Sequence, residues 1–204
     1  MHLDEALEQI TEIRAQIART ETFRGYRSLT VGFSGLMGIG AAMAQAIHMP
    51  HPQERLSDYL TLWVTVAVLN LVVVGAELAF RCWRAVSPRT ARLTRLAVEQ
   101  FLPCLLAGAV LTVVLAAGAP ESCWMLPGLW AVVFSLGVFA SHRLLPRPVF
   151  WVGVFYLFAG GVCLTLGRGD HALSPWLMAG SFGTGQLLTA AILYWTLERN
   201  HDTC

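Results

Sequence analysis

Lysine is absent from this chain and charge of either sign is scarce: of 204 residues only 13% are Asp, Glu, Lys or Arg, and arginine supplies all 14 of the Lys/Arg total. Soluble domains carry roughly 25% charged residues, so a water-exposed globule is excluded as a starting point. The formal net charge of +1 leaves no long-range field to gather nucleic acid or an acidic substrate. An all-arginine basic set is what a GC-rich bacterial coding sequence produces, and the guanidinium fork also suits bidentate contact with lipid phosphate.

The spacings of metal and redox chemistry are missing too. Cys82, Cys104, Cys123, Cys163 and Cys204 form no CxxC pair and no zinc-type pattern, so neither a disulfide framework nor a metal or other cofactor is expected. Phosphate loops, dinucleotide fingerprints and paired catalytic carboxylates are absent. The glycine-rich string AGSFGTGQ at 179–186 lies in an apolar run with no strand before it, so helix packing accounts for it. Residues 1–24 hold Asp4, Glu5, Glu8 and Glu12 and no apolar h-region, and therefore do not read as a secretory signal or a transit peptide.

What the chain has in abundance is apolar length: 55% of residues are hydrophobic and the mean hydropathy is +0.57. Runs of about 20 apolar residues match the hydrocarbon thickness of a bilayer. Six are predicted as spans, over 28–48, 59–80, 100–119, 124–141, 148–167 and 174–195. Each must be helical, because a lone segment in lipid has no other way to satisfy its backbone. The expected fold is all-α, a polytopic bundle of six transmembrane helices over 25–199. It is preceded by a cytoplasmic amphipathic helix at 1–24 and followed by a cytoplasmic tail at 200–204.

The arginines set the expected orientation. With the amino terminus inside, twelve of the fourteen fall on the cytoplasmic side, and only Arg55 and Arg168 fall outside. That asymmetry predicts cytoplasmic termini under the positive-inside rule, in what we read as a bacterial inner membrane. Cys123 is then expected to face outside, open to an impermeant thiol reagent. Tyr26, Tyr59, Trp83, Trp124, Trp151, Trp176, Tyr194 and Trp195 cluster near span ends and read as interfacial anchors.

In the first segment Leu3, Leu7, Ile10, Ile13 and Ile17 fall on one stripe of a helix, with acidic residues early and Arg14 and Arg19 late. This helix is expected to pack on the basic loop RCWRAVSPRTARLTRLAVEQF or to dock on a second copy or a cytoplasmic partner. In that loop Ser87–Pro88 has the form of a helix start. Arg81, Arg84, Arg89, Arg92 and Arg95 are expected to touch lipid phosphate.

Ionisable and amide groups within the spans are the best pointers to function. Glu77 and Glu99 lie near the cytoplasmic ends of the second and third spans, each four residues from an arginine, Arg81 and Arg95, which predicts local ion pairing, with a proton- or cation-handling pair facing one inner-leaflet vestibule as the alternative. Asn70 and Gln186 fall at the centres of the second and sixth spans, and Gln45 nearer the outer end of the first. They are expected to face protein, as interhelical glue or as the lining of a polar path. Gly35, Gly38, Ala42 and Gln45 share a face of the first span, and Ala179, Gly183, Gln186 and Ala190 share one of the sixth, which predicts close packing of these helices on each other or on a neighbouring subunit.

The string Gly32-Phe33-Ser34-Gly35 resembles the GxSG serine motif of rhomboid intramembrane proteases, which also have six spans. The likeness covers four residues. Its implied nucleophile, Ser34, needs a histidine base on a later membrane helix. Here all six histidines lie outside the spans or at their edges, and the motif is on the first helix. His48, His51, Asp58, Asp170 and His171 share the outer side, and His48 with His51 has a spacing short enough to chelate, but nothing in the sequence brings Asp170 and His171 to His48. The runs Trp63–Arg81 and Trp151–Arg168 both open with Trp-Val and close on Arg, as an inverted repeat would.

These readings favour a non-catalytic integral membrane interaction or regulatory subunit, oligomeric or partner-bound, in contact with lipid. A small six-helix transporter or channel with a polar midplane site is the alternative.

Overall fold

The computed structural model describes residues 28–84, 88–142 and 146–198. The predicted helix at 1–24, the tail at 200–204, Tyr26, Ser87, and the side chains of Arg81, Arg84, Arg89 and Arg92 lie outside the described residues. Among those described there is no strand, and six helices are long and apolar enough to cross a membrane. The chain is a multi-pass helical membrane protein.

The helices are α1 (Ser28–His48), α2 (Leu56–Arg84), α3 (Pro88–Gly118), α4 (Leu126–Ser141) and α5 (Val149–Leu166). The sixth, α6, is composite: Pro175–Met178 is α-helical, Ala179–Gly183 is π-helical, Thr184–Leu193 is α-helical, and Tyr194–Glu198 is π-helical again. A 3-10 turn, Pro120–Met125, leads into α4. Helix α3 begins at Pro88, where the missing N–H of proline does no harm because the first-turn donors have no partner in the helix.

Two close approaches hold the bundle. Helices α4 and α5 pack most closely of all, and they cross where Gly128 faces Gly160. A Cβ on Gly160 would stand 2.9 Å from the Gly128 carbonyl oxygen, and one on Gly128 would stand 2.8 Å from that of Gly160. Helices α1 and α6 meet through their small-residue faces: a Cβ on Gly35 would lie 3.1 Å from the Gly183 carbonyl oxygen, and one on Gly38 3.8 Å from the Gly183 Cα. With no hydrophobic drive between helices in lipid, this backbone proximity is what makes van der Waals packing strong enough to hold them.

An aromatic knot fills the space between the helices. Phe134 of α4 packs on Phe101 of α3, Tyr156 of α5 and Phe182 of α6, with ring centroids 5.1, 4.7 and 5.7 Å away. Phe182 lies in the π-helical stretch and touches both buried apolar clusters, one around Tyr156 and one around Tyr59 and Trp63.

Burial is uneven. The spanning windows of α1, α4, α5 and α6 bury 28–44% of their residues within the molecule, whereas α2 buries 11% and α3 none. Helix α3 nevertheless packs along α4, with Phe101 on Phe134 and the Trp130 indole N–H donating to the Thr112 hydroxyl, while α2 leans on α1, and α2 and α3 touch each other only sparsely.

Candidate functional site

The loops 49–55, 119–125 and 167–174 gather at one end of the bundle and enclose a cleft of about 520 Å³. This is the arginine-poor end. Its geometry is built from below by Gln45, one turn before the end of α1 and wholly buried. The Gln45 amide donates from Nε2 to the Leu173 carbonyl at 2.8 Å and accepts at Oε1 from the Trp63 indole N–H at 2.8 Å. One side chain thereby ties α1, α2 and the loop before α6 together.

Leu173 adopts φ +58°, a left-handed conformation that is an outlier for a branched side chain. Its neighbour in the same loop, Gly169, also has φ +58°, where glycine bears no steric penalty. A glutamine binds each of these two carbonyls: Gln45 holds Leu173, and Gln53 Nε2 donates to the Gly169 carbonyl at 2.8 Å. The loop is pinned at both of its reversals.

That pinning presents Arg168 over the Trp124 ring, with the guanidinium carbon 5.2 Å from the centroid. Arg168, Glu121 and Gln53 line the cleft, over an apolar floor that includes Leu56, Ala172 and Leu173. Among the described residues no ion pair joins Arg168 to Glu121. Composition gave no signal for this cleft, because its polar groups come from three separate short loops.

Of the residues singled out from sequence, Gln45 is a structural tie with both ends of its amide engaged. Tyr59 corrects the expectation of an interfacial anchor: its side chain is fully buried against Trp63, and its hydroxyl has no hydrogen-bond partner. Trp83, Trp151, Trp176, Tyr194 and Trp195 are exposed. Asn70 lies on the inward stripe of α2 with Tyr59, Trp63 and Val66, and its carbonyl oxygen is buried without a partner. Gln186 stands elsewhere, its Cβ against Gly35 and its amide beside, but outside hydrogen-bonding geometry with, the buried Tyr156 hydroxyl. The two midplane amides are not hydrogen-bonded to each other.

Arg95 pairs with Glu99 at 2.7 Å, as the four-residue spacing implies, in an exposed ion pair. Glu77 has an interaction of its own. Ser34 is buried and donates its hydroxyl to the Val31 carbonyl at 2.7 Å, and His48, His51, His142 and His171 are all exposed, so the GxSG string has no base among the described residues. His48, His51, Asp58, Asp170 and His171 form no metal-holding group among the described residues. Trp63 is buried and hydrogen-bonded while Trp151 is exposed, so the two Trp-Val runs occupy unlike environments.

Cys123 is 1% exposed, which corrects its expected openness to an impermeant reagent.

Fold and site define a helical multi-pass membrane protein with a pinned cleft at one end. No protein-family model matches the chain, and no curated protein or solved structure shows significant similarity to it.

Proposed function

We propose that this chain is a non-catalytic membrane interaction subunit that assembles with other transmembrane helices, its own or a partner's, along the side formed by α2 and α3. The observation that carries the reading is the uneven burial: α3 buries none of its spanning window and α2 only 11%. Gly75 on α2 is exposed and Gly108 on α3 partly so, and a Cβ at either would meet nothing within 4 Å, which leaves room for close helix approach. In this reading the chain is a bacterial inner-membrane protein with both termini in the cytoplasm. Arg81, Arg84, Arg89, Arg92 and Arg95 hold that end to lipid phosphate, and residues 1–24 offer a docking helix to a cytoplasmic partner.

The alternative of a solute path through the midplane has less support. Gln186 is packed against Gly35 beside Tyr156, on a helix seated in the body of the bundle.

Cysteine cross-linking in native membranes tests the assembly. Single cysteines replacing the exposed Val72 of α2 or Val113 of α3 should form a disulfide-linked dimer, or react with a partner through a short bifunctional thiol reagent. A cysteine at the equally exposed Phe158 of α5 should not. Equal yields at all three positions, or none at Val72 and Val113, would remove the basis for the proposal.

A further inference from the structure

The cleft at the arginine-poor end is lined by two opposite charges that form no close ion pair with each other. Arg168 and Glu121 both line it. Neither has an ionic partner within 4 Å among the described residues. A guanidinium lying over an indole face keeps N–H donors free at its edge, and the ring contact limits the conformations it must surrender on binding. The loop behind it is pinned through Gln53 and Gln45 at its two left-handed residues. Arg168 is therefore presented in advance of any ligand, which lowers the ordering cost of binding.

From this geometry we propose that the cleft binds a zwitterion, a primary ammonium and an anionic group on one small polar head, with the anion on Arg168 and the ammonium on Glu121. The volume of about 520 Å³ falls within the ordinary range for small-ligand sites of about 300–1,000 Å³. Leu56, Ala172 and Leu173 supply apolar surface beneath the charges for the remainder of the ligand. A phosphoethanolamine lipid head and a free zwitterionic solute share this chemistry. A purely anionic head lacks the group that Glu121 selects for, and would bring like charge to that carboxylate.

The test uses the full chain purified in a neutral detergent, with its melting temperature followed during titration. The probes are dihexanoyl phosphatidylethanolamine, glycerophosphoethanolamine and serine, against dihexanoyl phosphatidylglycerol and inorganic phosphate. Zwitterionic probes should raise the melting temperature saturably and bind at least about tenfold more tightly than the anionic controls, a difference set by one charge-assisted contact. Saturation by the lipid alone assigns a membrane headgroup. Saturation by the water-soluble zwitterions assigns a free solute. In R168Q and E121Q, both at exposed positions, the affinity should fall by about tenfold or more, with the ligand-free melting temperature unchanged in E121Q and only slightly lowered in R168Q, which also gives up its contact with the Trp124 ring. The unmodified protein's ranking of probes stands as a separate measurement should either variant fold poorly. Equal binding of phosphatidylglycerol and phosphatidylethanolamine, an E121Q affinity equal to the parent's, or no saturable shift with any zwitterion would overturn the proposal.

Discussion

Gln45 shows how one amide organises a region in a low-dielectric interior. Its carbonyl and its amino group are both used, by Trp63 and Leu173, and the site is sealed from solvent. Removing the amide would leave the indole N–H and the Leu173 carbonyl buried and unpaired, each at a desolvation penalty. The variant Gln45→Leu should therefore lower stability by about 2–3 kcal/mol, measured by thermal or denaturant unfolding in detergent. Trp63→Phe leaves Leu173 held and should cost less than Gln45→Leu in its hydrogen-bonding part, though ring packing on Tyr59 adds to the loss. If Gln45→Leu proved neutral, the tie between α1, α2 and the loop before α6 would carry no energetic weight. Surface charge behaves differently: Arg95–Glu99 is well formed but exposed, so Glu99→Gln should change stability by less than about 1 kcal/mol.

Among the helices, the contrast lies between glycines that touch backbone and glycines that face outward. At Gly160 an added methyl would stand 2.9 Å from the Gly128 carbonyl oxygen and 2.7 Å from a Val132 methyl, so α4 and α5 would have to separate. Gly160→Ala should destabilise by about 1–3 kcal/mol through overpacking. Gly75 on α2 has open space at the same position. In the detergent-dispersed single chain, Gly75→Ala should shift stability by no more than about 1 kcal/mol, in the stabilising direction that helix propensity gives, whereas in the assembly the added methyl would weaken a close helix approach. Equal effects of the two substitutions on the unfolding midpoint would contradict the assigned crossing. The α1–α6 crossing was readable in sequence because Gly35, Gly38 and Ala42 keep one helical period opposite Ala179 and Gly183. At the α4–α5 crossing Gly128, Ala131 and Ser135 keep the same spacing on α4, and Gly153 and Gly160 lie seven residues apart on α5, but spacing alone does not say which of several small-residue faces meet. The π-helical turn at Ala179–Gly183 has no compositional signature, yet Gly183, Gln186 and Ala190 still face α1.

At the scale of the whole molecule, the spans were legible because bilayer thickness fixes helix length independently of how helices pack. The cleft was not, because it depends on which loops meet, and pairing of helices decides that. The same distinction governs orientation: the structure brings the loops containing Gln53, Trp124 and Arg168 to one end, while the arginine count predicts which side of the membrane that end faces. Native Cys123 cannot report on this, since its thiol is buried. Introduced cysteines at exposed sites can. Asp170 and Glu54 are exposed at the cleft end, and Arg147 is exposed at the opposite end, before α5. In a background with the native cysteines replaced by serine or alanine, D170C and E54C should react with an impermeant maleimide on intact cells, and R147C only after lysis. Reaction of R147C from outside with protection of the other two would invert the molecule and place the arginine-rich end outside, against the asymmetry that positive charge imposes during insertion. The cleft would then open towards the cytoplasm, and a zwitterion bound there would come from the inner leaflet or the cytosol, so this labelling pattern also determines which pool of ligand the site can reach.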